Sequence, residues 1–392
     1  MSEVVLDASN LSLIIGFIPM AIVVSFGLAP IMTHFLYKYD ITVGRRGGYD
    51  PTLLLESRKS KMNTPTMGGI LVIFTVAVIT LLFNWERSFT WVPIGVMLLS
   101  AFLGALDDIL NIFGTKRRSR GLKQTLLLIR VHHDLKARVW LAITLPWVVF
   151  KRMSMWIGSH PGKGVHVHEK LILQFLAGAI TAWWIFFKLG EHWREIYIPF
   201  LENGGSTFLG PAGADSFLNI GILLIPLIIF VVMFTANAVN IADGMDGLAG
   251  GMLIPTFGSL LILSWMGGFT EVAILNATVV GALVTYTYFN IKPARFQMGD
   301  VGSLGLGALL AINAIVINQM VALVFLAFMF YVEALSVVLQ IASRTIFGKK
   351  IFKMAPLHHH FELIGWSEEK VIMRFWIIHL AFVMTGIWIA LH

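Results

Sequence analysis

The sequence predicts an all-α, polytopic membrane protein with about ten transmembrane helices, both termini outside and the active site at the cytoplasmic face. Three observations predict it. Of the 392 residues, 57% are hydrophobic and only 13% charged, about half the charged fraction of an ordinary soluble domain. The apolar residues fall into ten runs, and roughly 20 residues of helix cross the ~30 Å hydrocarbon core. Finally, the basic residues collect on alternate loops, as they do on the cytoplasmic side of membrane proteins. The first observation alone excludes a soluble globular enzyme, a disordered chain and a collagen-like repeat.

The runs lie at 11–36, 67–83, 91–106, 171–189, 218–236, 247–264, 273–289, 303–318, 320–343 and 371–391. The first follows Ser2, Glu3 and Asp7, an acidic leader unlike that of a cleavable signal, and reads as a retained span with the N-terminus outside. The eighth and ninth arrive as one stretch of about 41 residues. A single helix of that length would be ~60 Å long, twice the core, so the polar pair Asn318-Gln319 is the expected break. The segment 139–150 is apolar but too short to cross, with Pro146 inside it. It is flanked by Lys136, Arg138, Lys151 and Arg152, so both ends favour the same side. An interfacial or re-entrant helix is expected there. No internal repeat stands out. Residues 1–392 read as one membrane domain, with a cytoplasmic or interfacial insertion at 123–168.

This topology places the loops 37–66, 107–170, 237–246, 290–302 and 344–370 on the cytoplasmic face. With their membrane edges they carry 26 of the 29 Lys and Arg residues but 13 of the 22 Asp and Glu residues. The formal charge of +7 therefore resolves into a strongly basic inner face and an acidic outer one. Membrane topology explains the basic balance, and no nucleic-acid partner is expected. Among the acids only Glu333 is buried mid-span. The absence of cysteine removes disulfides, thiolate metal sites and cysteine nucleophiles.

Five polar clusters emerge on the inner face. Lys61-Met-Asn-Thr-Pro-Thr66-Met-Gly-Gly69 precedes the second span, and as a basic anchor and a turn into a helix it is unremarkable alone. Asp107-Asp108 ends the third span, where two carboxylates repel each other and face the negative end of the helix dipole, so a cation must be supplied. In Asn237-Ala-Val-Asn240-Ile-Ala-Asp243-Gly-Met-Asp246-Gly247, polar groups recur every third residue. Capping of the next helix explains one of these carboxylates and not the series. Asn290 to Ser303 brings Asp300 between glycines at the start of the eighth span, which suits an N-cap equally well. Pro356-Leu-His358-His359-His360-Phe-Glu362 is either an exposed polar turn or a site for metal or phosphate. Together, aspartates with basic residues and no cysteine point to a hard, oxygen-ligated cation such as Mg²⁺ and to phosphoryl transfer. A membrane setting suggests a lipid phosphate as one reactant.

These residues resemble the phospho-N-acetylmuramoyl-pentapeptide-transferase family, a branch of the polyprenyl-phosphate N-acetylhexosamine-1-phosphate transferases. The matching strings are TPTMGG at 64–69, Asp107-Asp108, NAVNIADGMDGLAG at 237–250, MGDVGSL at 298–304, MAPLHHHFELIGWSE at 354–368 and RFWII at 374–378. The triple-histidine string is the most particular to this branch. The resemblance implies transfer of phospho-MurNAc-pentapeptide from UDP-MurNAc-pentapeptide to undecaprenyl phosphate, giving lipid I and UMP in peptidoglycan synthesis. It also implies Mg²⁺, a multi-pass location among the lipids of the bacterial inner membrane, and a homodimer. Carried onto this chain, Asp300 is the Mg²⁺ ligand, Asp107 acts on the lipid phosphate as base, and Asp108 assists. Lys61, Thr66, Asn237, Asn240, Asp243, Asp246, Asn290 and Gln340 bind the donor nucleotide. His358, taken as catalytic as well, contacts the sugar-phosphate side together with His359 and His360.

Two positions depart from the family pattern. An aromatic residue that stacks on uracil usually precedes MGD. Here Gln297 stands there and Phe296 one residue earlier, so either Phe296 turns in or uracil packing is weaker. About forty extra residues also follow Gly121-Leu122, which leaves open which lysine reaches substrate. The alternative within the superfamily is a sister enzyme taking UDP-GlcNAc, against which HHHFELIGW argues. A secondary transporter would place its carboxylates near the bilayer midplane rather than at one rim.

Overall fold

The computed structural model describes residues 8–42, 62–113, 122–146, 148–149, 167–200 and 217–392. In hydrocarbon a backbone must satisfy its own hydrogen bonds, so apolar runs of this length become helices. The helices are α1 (Ala8–Lys38), α2 (Ile70–Phe83), α3 (Trp91–Phe113), α4 (Leu122–Val131), α5 (Leu135–Ile143) and α6 (Val167–Lys188), followed by α7 (Leu224–Ala242), α8 (Leu248–Met266), α9 (Thr270–Asn290), α10 (Gly299–Val316), α11 (Met320–Leu326), α12 (Phe328–Phe347), α13 (Leu357–Leu363) and α14 (Glu368–Ala390). Among the described residues, nine are long and apolar enough to cross a membrane. The exception among the ten expected spans is α2, whose 14 residues make a helix of only ~21 Å.

The expected break between the eighth and ninth spans is present. Helix α10 stops at Val316, Asn318 takes a positive φ of 54°, and α11 begins at Met320. A small antiparallel pair, β1 (Glu195–Tyr197) with β2 (Phe217–Asn219), braces this corner. Asn318 accepts from Tyr197 N at 3.0 Å and donates to Glu195 O at 3.1 Å. The ninth span differs from the reading of 320–343 as one helix, because Ala327 (φ −111°, ψ 19°) separates α11 from α12. No glycine or proline marks that point. Thr256 of α8 donates its hydroxyl to Leu326 O at 3.0 Å, so a neighbouring helix satisfies a carbonyl beside the break.

Residues 123–168 begin with two short helices. Asp134 caps α5 by accepting from Lys136 N at 3.0 Å, and Arg138 Nε donates to Ile129 O of α4 at 2.8 Å. Helix α5, of nine residues, is too short to span by itself; residues 147 and 150 of the apolar segment lie outside the described residues.

Helix α10 sits at the centre and is buried almost all round, whereas α1 and α14 show most of their surface to the outside. Its neighbours approach on small residues. A Cβ built on Gly69 would overlap Gly302 Cα, one on Gly104 would overlap the carbonyl of Asp300, and one on Gly307 would lie 2.7 Å from Ala236 Cα. Glycine at crossings lets backbones pack closely where lipid removes the hydrophobic drive for association. These contacts fix the start of α10 against α2, α3 and α7, and there the polar strings meet.

Candidate active site

The start of α10 is clamped by the segment before α2. Gln297 N donates to Pro65 O at 2.8 Å, Gly68 N to Gln297 O at 2.7 Å, and Gly69 N to Met298 O at 2.9 Å. Both strands of the clamp need left-handed backbone, at Met67 (φ 68°) and Gly299 (φ 72°). Gly299 has no room for a side chain: a Cβ there would lie 2.6 Å from Asp108 Oδ2 and 2.8 Å from Thr66 Oγ1. The first N–H groups of a helix lack partners within it and carry its positive end. Here they are met by carboxylates, with Gly299 N donating to Asp243 Oδ2 at 3.1 Å and Val301 N to Asp108 Oδ2 at 3.4 Å.

Asp300, in the first turn of α10, faces Asp107 of α3 across one ammonium. Lys170 Nζ lies 2.5 Å from Asp107 Oδ2 and 2.8 Å from Asp300 Oδ2. Asn240 Nδ2 donates to Asp300 Oδ1 at 2.9 Å and to Ser303 Oγ at 2.8 Å. One turn earlier on α7, Asn237 pairs its amide with Gln174 of α6, through bonds of 2.7 and 3.2 Å. The three-residue stride of α7 thus sends Asn240 to the carboxylates and Asn237 to the neighbouring helix. Among the described residues, Asp107 and Asp300 share the Lys170 ammonium.

The turn after α7 is tied to the loop before α10. Gly247 (φ 83°) opens α8 and donates its N–H to Asn290 Oδ1 at 2.8 Å, while Asn290 Nδ2 donates to Phe296 O at 2.9 Å. Asp246 Oδ2 accepts from Ala294 N, and Asp246 N donates to Glu368 Oε1, both at 3.3 Å. Lys292 closes the group at 2.7 Å from Glu369 and 3.2 Å from Glu368, and these carboxylates hold its ammonium above the ordinary lysine value. The N-cap of α8 is Gly247, which has no side chain to cap with; the described side-chain bonds of Asp243 and Asp246 run instead to Gly299 N and Ala294 N.

The histidines stand on α13. His358 is buried, with its Nδ1 3.1 Å from Glu333 Oε2 of α12 and its ring against Gly244. His359 Nδ1 lies 3.4 Å from Glu362 Oε2. His360 turns back to the loop and accepts from Lys353 N at 3.2 Å.

Asp107, Asp108, Asn240, Asp243, Asp300 and Thr66 are therefore brought together around the start of α10. Asp246 and Asn290 flank them, and His358 meets the same turn from α13. Asn237 joins through α6, while His359 and His360 lie to the side. Gln340 is engaged elsewhere: it accepts from Ile351 N and Phe352 N at 3.0 Å each and donates to Phe352 O at 2.9 Å. Lys61 lies outside the described residues. Two expectations change. Asp107-Asp108 do not end a helix, because α3 runs on to Phe113, beyond the last-turn range of the dipole; the repulsion between acids is answered instead by Lys170 and by α10. Phe296 does not turn into a cleft, since it is fully buried between Tyr286 and Phe289 and against Gly68.

Lys170, Gln174 and Ser303 were not among the expected residues. The legible signal was a lysine and a glutamine four apart, on one face at the start of an apolar helix. Among the described residues no three His, Asp or Glu side chains form a metal-ligand set. The oxygen-rich pair Asp107 and Asp300, already holding a cationic ammonium, nonetheless has the hard-donor chemistry that suits Mg²⁺.

Comparison with known proteins agrees with this geometry. Residues 90–318 match glycosyl transferase family 4. A phospho-N-acetylmuramoyl-pentapeptide-transferase of Geobacillus sp. (strain WCH70) is 33% identical over 379 residues, covering 94% of this chain and 97% of the relative. Its counterpart in Chloroflexus aggregans is 33% identical over 91% of this chain and 84% of its own. That of Halalkalibacterium halodurans is 30% identical over 97% and 96%. The chain belongs to the phospho-N-acetylmuramoyl-pentapeptide-transferase family, within glycosyl transferase family 4.

Proposed function

We propose that the protein transfers phospho-MurNAc-pentapeptide from UDP-MurNAc-pentapeptide to undecaprenyl phosphate, giving lipid I and UMP at the cytoplasmic face of the bacterial inner membrane. The observation that carries this reading is the meeting of Asp107, Lys170 and Asp300 at the start of α10, where the family's strings converge. The excess of Lys and Arg in these loops supports a cytoplasmic side for this end of the bundle, where a nucleotide-linked donor is available. The working protein is taken to be a homodimer.

In the reaction an oxygen of the lipid phosphate attacks the donor's β-phosphorus, and the bond to the bridging oxygen of UMP breaks. Both partners are anionic, so the residues must reduce their repulsion and hold them in line. Lys170 brings a positive charge to the carboxylates and, with the N-terminus of α10, offers positive potential to the diphosphate. Asp107 keeps the lipid phosphate ionised by accepting its proton. Asp108 and Asp243 hold the first N–H groups of α10 and so fix Asp300. Asn240 orients Asp300 through Oδ1, while Asp246 and Asn290 shape the nucleotide side. Mg²⁺, held by Asp300 with Asp107 close by, would supply the remaining neutralisation of the diphosphate.

The test is UMP release by purified protein. Release should require UDP-MurNAc-pentapeptide, polyprenyl phosphate and Mg²⁺ together, and should stop in excess chelator. Undiminished turnover in chelator would remove the metal from this account, and release without the lipid would remove the acceptor.

A further inference from the structure

The mechanism above does not use Glu333, the most deeply buried glutamate among the described residues. Glu333 lies in α12 and is fully buried, and a carboxylate in such a place needs hydrogen-bonded partners. Both of its described side-chain partners belong to His358. The backbone N–H of His358 donates to Glu333 Oε1 at 3.1 Å, and Nδ1 of the ring lies 3.1 Å from Oε2. Two bonds from one carboxylate fix the residue at its backbone and at its ring.

The other ring nitrogen is the informative one. To pair with an ionised carboxylate, Nδ1 must carry the proton, which leaves Nε2 as the end that acts outward. Nε2 is buried and has no hydrogen-bond partner among the described residues. It rests against Gly244 so closely that a Cβ there would overlap it. Gly244 adjoins Asp243, whose carboxylate holds the start of α10. A buried nitrogen without a partner, turned to that point by a carboxylate behind it, is placed to meet a substrate.

We infer that Glu333 is a positioning residue for the transfer: it sets His358 in the Nδ1–H form and directs Nε2 to a phosphate-side oxygen of the bound donor. Facing that anion, Nε2 binds a proton and donates it in a hydrogen bond, and Glu333 balances the charge on the ring. This rests on the function proposed above, and it gives the one mid-span acid of the sequence a task. A purely structural Glu333 would instead only fasten the loop before α13 to α12.

The two roles separate in a double-mutant cycle on the purified full-length protein, with UMP release as the readout. Glu333→Gln keeps the size and the bond to the backbone N–H, but it removes the carboxylate charge that balances a doubly protonated His358 ring when Nε2 donates to the anion. It should lower kcat about 10²-fold, with KM for the UDP donor changed by less than about threefold and the melting temperature in detergent unchanged. Glu333→Asp, which keeps the charge, should recover part of the rate. In a His358→Ala background, Glu333→Gln should have no further effect, because its action passes through that ring. Parental activity of Glu333→Gln, or an equal loss with and without His358, would overturn the proposal. If Glu333→Gln does not fold, Glu333→Asp carries the same cycle. An inactive parent would instead overturn the functional reading itself, so the two failures are distinguishable.

Discussion

Two parts of the site hold buried charge in opposite ways. Asp107 and Asp300 share Lys170, whose long side chain reaches in from α6 and remains 27% exposed. His358 has its own carboxylate behind it, and side-chain exposure there is 1% and 0%. The first arrangement is exchangeable, since a flexible ammonium can shift when a diphosphate or a cation arrives. The second is preset, since Glu333 holds His358 at its backbone N–H and at its ring before substrate binds. An anionic substrate needs both, with charge that adjusts on one side and a fixed direction on the other.

The largest effects should come from breaking the exchangeable side. Asp300→Asn removes the charge at the centre and should lower kcat by about 10³-fold or more, with the melting temperature kept. Lys170→Met keeps the stem and loses the ammonium, and should lower kcat by about 10²-fold. Rates within threefold of the parent in either variant would dissolve the distinction. Both are read in the UMP assay, with thermal unfolding in detergent as the control.

A smaller effect tests the frame that carries both sides. Gly104→Ala forces a methyl group into the backbone of Asp300 and should destabilise by about 1–3 kcal/mol, with a loss of activity. Gly95 lies on the same helix with nothing within 4 Å of its missing Cβ. There Gly95→Ala should stabilise by roughly 0.5–1 kcal/mol and leave the rate alone. Equal unfolding temperatures for the two variants would mean that the α3–α10 contact is not tight.

Much of this was legible in the sequence because membrane physics is strict. Length and apolarity located the spans, and Asn318-Gln319 located a break because polar residues interrupt an otherwise continuous run. The start of α10 was foreseen at Asp300, whose flanking glycines are needed for a positive φ and for close passage of α2. Other features carried no local signal. At the break by Ala327 the Leu326 carbonyl is met by Thr256 of α8, and nothing in 320–343 announces it. Lys170 looked like any basic residue at a membrane edge, because only the packing of α6 beside α3 and α10 selects it. Glu333 was visible as a mid-span acid, yet its partner lies 25 positions away on a separate helix. Phe296 read as a possible substitute for a stacking aromatic, but the approach of Gly68 places it in the core. Periodicity shows where a helix lies, and not which residue of another helix it will meet.

The most direct test of the account is a donor comparison on the purified protein, with one undecaprenyl phosphate acceptor and Mg²⁺ present. Initial rates of UMP release are measured side by side with UDP-MurNAc-pentapeptide and with UDP-GlcNAc. The account predicts lipid I from the first donor, at a rate at least about 100-fold above any release from the second. Equal rates, or a preference for UDP-GlcNAc, would contradict it.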